Sequence, residues 1–162
     1  MASKAEKSRR LVDELWNGGK METADELLAP DIVRYDPALP QPARGIAEYK
    51  QVVRTYRDAF PDLHLEILEL VESDDHVASR WQATGTHRGD LMGLAATGRK
   101  STVEGIQLSR WEDGVGVEEH QSWDQMGMLR QLGVLPERDS TQEKAMTALS
   151  NLRSKVSGAL NR

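Results

Sequence analysis

A chain of 162 residues is long enough for one compact domain with a sizeable core and short for two. Hydrophobic residues make up 38% and charged residues 29%, the mean hydropathy is −0.59, and no apolar run approaches the ~20 residues of a membrane-spanning helix. The net charge of −5 lacks the basic excess that nucleic-acid binding needs, and the absence of cysteine excludes disulfides, thiolate catalysis, zinc fingers and iron–sulfur clusters.

The opening Met1-Ala2-Ser3-Lys4-Ala5-Glu6-Lys7 is too polar for a signal peptide, which with the lack of cysteine predicts a cytoplasmic protein. Leu11, Val12, Leu15 and Trp16 recur at helical spacing over Ser8 to Asn17, and Asn17-Gly18-Gly19 ends that helix. A short second helix is predicted from Glu22 to Leu28, then a strand from Ile32 to Tyr35 and a proline-rich loop from Asp36 to Pro42. A third helix follows Gly45, with Tyr49, Val52, Val53, Tyr56 and Phe60 on one face. From Leu63 the period falls to two. Strands are predicted at Leu63–Ile67, Val77–His87, Thr102–Trp111 and Val117–Trp123, joined by turns at Ser73-Asp74-Asp75 and Glu112-Asp113-Gly114 and by a glycine-containing loop from Gly89 to Gly98. Helices first and an antiparallel meander afterwards is an α+β layout. Thr141 to Leu160 then reads as a helix with Ala145, Met146, Leu149, Leu152, Val156 and Leu160 in one stripe.

No phosphate-binding glycine loop, dinucleotide fingerprint or serine-hydrolase elbow is present. The four histidines, His64, His76, His87 and His120, lack the close spacing of a helical metal motif, so no metal is expected. The informative stretch is Glu118 to Asp124. On a strand Glu118, His120, Ser122 and Asp124 share one face, and Glu119, Gln121 and Trp123 share the other. If the even row lines a cavity, it supplies a carboxylate and an imidazole for acid–base work. If instead it is an exposed polar row, Asp124 caps a following helix. His87 ends a strand beside glycines that leave room for a ligand, Arg80 lies mid-strand, and Gln107 faces away from Ile106 and Leu108. The aromatic residues Trp16, Tyr35, Tyr49, Tyr56 and Phe60 wall a pocket for a planar ligand or fill an ordinary core.

Taken in order, Trp16-Asn17-Gly18-Gly19, Phe60-Pro61-Asp62-Leu63, Gly85-Thr86-His87-Arg88-Gly89, Thr97-Gly98-Arg99 and Asp124-x-x-Gly127-Met128-Leu129-x-Gln131-Leu132-Gly133 form a pattern. It resembles the SnoaL-like polyketide cyclase (ester cyclase) family of the nuclear transport factor 2-like superfamily. The resemblance implies an α+β cone in which N-terminal helices and a curved antiparallel sheet enclose a pocket. It divides the chain into a cone domain over 1–136 and a C-terminal helical extension over 137–162. It further implies homo-oligomers, and cofactor-independent ring closure by intramolecular aldol chemistry on a hydrophobic carbonyl-bearing substrate.

Carried over by motif, Asp124 is the acid/base and His120 orients it, although His120 stands where the family usually has tryptophan. Gly93-Leu94-Ala95-Ala96 likewise departs from the usual Gly-Ile-Pro-Pro loop. On this reading His87, Arg80 and Gln107 donate hydrogen bonds to a developing enolate, and Trp81, Tyr35 and Trp16 shape the pocket. Should the family's aspartate sit earlier on the strand, Gln121 or Ser122 holds its place here. The other readings are a non-catalytic ligand carrier, and a dehydratase, isomerase or epoxide hydrolase using Tyr35 and Asp36 with His87. Water activation of the last kind calls for two carboxylates bridged by an arginine.

Overall fold

In a computed structural model, which describes residues 2–160, the chain builds helices against one face of a curved, open six-stranded sheet. Helix α1 (Lys4–Arg10) starts on a capping box: Glu6 N donates to Ser3 Oγ at 3.1 Å, and Ser3 N donates to Glu6 Oε2 at 2.6 Å. It runs on into a π-helical segment, Leu11–Asn17, which buries Leu11, Leu15 and Trp16. Gly19, at φ +72°, turns the chain into α2 (Glu22–Leu27). Strand β1 (Leu28–Tyr35) begins four residues earlier than the sequence suggests and takes Pro30 into the strand, beside a bulge between Leu28 and Val33.

A two-residue β2 (Ala43–Arg44) leads into α3 (Gly45–Ala59), which buries Tyr49, Val52 and Val53 at the spacing its sequence predicts. Strands β3 (His64–Glu72), β4 (His76–Thr86), β5 (Lys100–Glu112) and β6 (Val115–Trp123) then form the antiparallel meander. The sheet order is β2-β1-β6-β5-β4-β3, and β1 pairs with β6 in parallel rather than antiparallel fashion. Such pairing needs a long crossover, here α3 and the whole meander, which brings the last strand back beside the first. The sheet does not close on itself, because β2 and β3 remain edges.

One buried cluster joins Leu11, Leu15, Trp16, Ile32, Tyr49, Val53 and Trp111 between the helices and the sheet. A second gathers Ala59, Phe60, Leu91, Val103, Met128 and Leu132 at the end of α3. Met128 belongs to α4 (Gln125–Gln131), which Asp124 caps: Gly127 N donates to its Oδ1 at 2.8 Å.

The terminal helix α5 (Thr141–Leu160) is held by a 2.6 Å bond from Arg130 to Glu143, and among its described side chains none belongs to either buried cluster. Its Met146, Leu149 and Leu152 are exposed, while Val156 and Leu160 of the same stripe lie outside the residues whose side chains are described.

Candidate active site

Between the helices and the sheet lies a cavity that encloses about 940 Å³ of empty space, open solvent at its mouth included. Its walls are Leu11, Val12 and Trp16 from the first helix, Tyr49, Tyr56 and Phe60 from α3 and its end, and Trp81, Val103 and Trp123 from the sheet. Six of the eight aromatic side chains of the protein face it, which suits a flat, largely apolar molecule.

The polar floor comes from alternation on two paired strands. Ile32 and Arg34 on β1, with Asp36 just past its end, step along one face, and Glu119, Gln121 and Trp123 step along the matching face of β6. Arg34 Nη1 donates to Glu119 Oε2 at 2.8 Å, and its Nη2 donates to Asp36 Oδ2 at 3.2 Å. Asp36 Oδ1 also accepts from Trp123 Nε1 at 3.1 Å and from Ala38 N at 3.0 Å. The Tyr49 hydroxyl donates to Glu119 at 3.0 Å. Glu119 is 1% exposed and Asp36 7%, so this is a buried trio of one arginine and two carboxylates.

The guanidinium of Arg34 lies 5.0 Å from the centre of the Trp16 ring and 5.5 Å from that of Tyr49. Burial opposes its charge, but Tyr49, Glu119 and Asp36 outweigh that and hold it protonated above the ordinary arginine range. Burial, reinforced by Glu119, pushes the Tyr49 phenol up, and burial with Asp36 does the same at Tyr56. Beyond the trio, Gln121 donates through Nε2 to Gln107 Oε1 across β5 and β6, leaving an amide pair on the cavity wall.

Of the residues singled out from sequence, Trp16, Trp81 and Gln107 line the cavity. The even row of β6 does not. His120 is 53% exposed, stacked on Tyr35 with ring centroids 4.4 Å apart, and its Nε2 lies 3.1 Å from Glu118 Oε1. Both rings therefore sit on the far side of the sheet from the cavity. Asp124 serves as the cap of α4 and is absent from the lining. Arg80 is spent on Glu69 and Glu104 on that same outer face. His87 is fully buried beside Phe60, where its Nδ1 accepts from Thr97 N and pins the loop after β4.

The correction is one of parity. A period of two defines two faces, and the face carrying Trp123 is the one the helices cover. Sequence reasoning gave no role to Arg34 or Glu119, and named Asp36 only for a dehydratase, isomerase or epoxide hydrolase, paired with Tyr35 and His87 rather than with Arg34. The signal lay in the alternation Ile32-x-Arg34-x-Asp36, which puts two charged groups on the face of a fully buried isoleucine.

A curved, open sheet covered on one face by helices, with a cavity between them, is the nuclear transport factor 2-like fold. The chain belongs to the SnoaL-like polyketide cyclase family, whose model matches residues 6–132. It is 34% identical over 140 residues to aklanonic acid methyl ester cyclase DnrD of Streptomyces peucetius, covering 82% of this chain and 92% of that one. Among solved structures it is similar to IdmH of Streptomyces antibioticus, a proposed polyketide cyclase, at a TM-score of 0.71 and 32% identity over 82% of this chain and 99% of that one. AclR of Streptomyces galilaeus, a proposed hydroxylase, gives a TM-score of 0.71 at 28% identity over 94% of this chain and 97% of the other.

Proposed function

We propose that this protein is a polyketide cyclase that closes a ring within a flat, carbonyl-bearing substrate by proton transfer, with Asp36 as the acid/base. The observation that carries the reading is the Asp36–Arg34–Glu119 trio at the floor of a largely apolar cavity. One arginine faces two carboxylates, so with both ionised the trio holds one uncompensated negative charge where water is scarce. Glu119 is anchored by Arg34 and Tyr49 together. Asp36 Oδ2 has a single long bond, at 3.2 Å, and is the freer oxygen.

In the proposed step Asp36 takes the proton from the carbon between two carbonyls, and the C–H electron pair moves onto a carbonyl oxygen as an enolate. The carbanion attacks a second carbonyl of the same molecule, a C–C bond forms, and the alkoxide recovers the proton from Asp36. The closure is isomeric and redox-neutral, so proton transfer alone completes it without a cofactor. Gln121 and Gln107 orient the far end of the substrate. The relatives named for ring closure on aklanonic acid methyl ester support that compound as the assay substrate.

The test is incubation with aklanonic acid methyl ester, followed by liquid chromatography and mass spectrometry. A new peak of unchanged mass is expected, with Asp36→Asn slowing its formation by about three orders of magnitude. Asp124→Ala should leave turnover intact while costing about 1 kcal/mol of stability through the lost cap. No conversion, or an unimpaired Asp36→Asn, rejects the assignment.

The same trio favours one second reading, since two carboxylates bridged by an arginine can hold and deprotonate water for attack on an epoxide. That reading is tested separately on an epoxide such as styrene oxide, whose diol product gains the mass of one water.

A further inference from the structure

Among the described residues four buried side-chain polar atoms have no hydrogen-bond partner, and three of them, Ser8 Oγ, Arg34 Nε and Tyr56 Oη, belong to residues lining the cavity. A buried polar group without a partner costs free energy, so three on residues that line the same cavity call for an acceptor that is not part of the chain. Tyr56 is the clearest case. It stands two helical turns after Tyr49 on the same face of α3, and the two phenols fare differently. The Tyr49 hydroxyl is consumed by Glu119. The Tyr56 hydroxyl meets nothing, while its ring is fixed by Trp16, centroids 6.2 Å apart, and by Trp123 at 6.4 Å edge-on. Trp123 in turn donates to Asp36, so the free phenol and the proposed base share a neighbour.

We infer that the Tyr56 hydroxyl is a direct catalytic contact, donating its hydrogen bond to the substrate oxygen that becomes the enolate when Asp36 removes the neighbouring proton. This rests on the acid–base reading above. The donated bond strengthens as charge develops on that oxygen, so it acts on the barrier more than on binding. Burial keeps the phenol protonated far above neutral pH, and a donor must hold its proton. Ser8 Oγ and Arg34 Nε would meet the remaining oxygens of the same molecule.

Tyr56→Phe removes one oxygen and keeps the ring contacts. The expected result on aklanonic acid methyl ester is a kcat lower by about 100-fold, with KM within about threefold and no loss of melting temperature. An unchanged kcat overturns the inference, and so does a lower melting temperature with kcat intact, which would mark the hydroxyl as structural.

If the wild type fails to turn this compound over, the cyclase reading fails separately and the donor is judged by binding. The probe is then alizarin, a planar dihydroxyanthraquinone, followed by quenching of the cavity tryptophans. Binding at least about fivefold weaker in Tyr56→Phe supports the donor. Equal affinity, or no binding to the wild type, overturns it.

Discussion

Gly105 shows how narrowly single residues hold the cavity in shape. It sits on the inner face of β5 between two tryptophans, and a Cβ placed there would lie 2.7 Å from Trp123 Cβ and 2.8 Å from Trp81 Cε2. Both side chains line the cavity, so the missing methyl group is what lets the two indoles come together across the strand. Gly105→Ala is expected to cost about 1–3 kcal/mol in urea unfolding, through overpacking against rigid rings. The same substitution should weaken alizarin binding, since the indoles must move. An unaltered melt and unaltered binding would show that the tryptophans yield freely.

At the scale of elements, the first helix is locked to α2 by Glu14. Its carboxylate accepts from Arg10 Nε at 2.7 Å and from Thr23 Oγ1 at 2.9 Å, and Lys20 stands at 3.3 Å. The bond from Arg10, then that from Thr23, pulls the carboxyl from 4.5 down to about 2. A carboxyl depressed by folding stabilises the fold above its unfolded value and loses that contribution as acid protonates it in the folded state. The melting temperature of Glu14→Gln should therefore fall below that of the wild type at neutral pH, and the gap should narrow between pH 4.5 and pH 2. A gap independent of pH would sink this account.

The elements themselves were largely legible in the sequence. The face of α3, the strand alternation, the turns at Ser73 and Asp113 and the span of α5 follow from periodicity and turn chemistry, which are local. The site was legible only in part. Trp16, Trp81 and Gln107 do line the cavity, and alternation does set Gln107 opposite Ile106 and Leu108, but it is those two apolar side chains that are exposed. On β6 the even row holds His120 and Asp124, the more reactive-looking groups, and only the helices packed on the other face decide against it. Partnership between Arg34 and Glu119 depends on β1 and β6 being neighbours, a fact of topology that no local pattern encodes.

For the whole molecule, two apolar surfaces remain open. Ile106 and Leu108 are exposed on the outer face of β5, and Met146, Leu149 and Leu152 are exposed along α5. We propose that the chain is a homodimer, and sedimentation of the wild type is expected to give twice the chain mass. Ile106→Glu should return the monomer if the sheet face forms the contact, and Leu149→Glu if α5 does. A wild-type monomer at assay concentration rejects the dimer.

The parallel pairing of β1 with β6 also sets when the chemistry can exist. Arg34 and Glu119 are 85 residues apart, with α3 and strands β3, β4 and β5 between them in the chain. Until β1 and β6 pair, the basic and acidic groups of β1 have no buried partner on β6, and closing so long a loop is slow compared with forming the hairpins inside it. The proposed acid–base centre thereby rests on a contact between distant parts of the chain. On refolding from urea, recovery of ring closure is expected to lag recovery of the sheet signal in circular dichroism, and simultaneous recovery would reject that order.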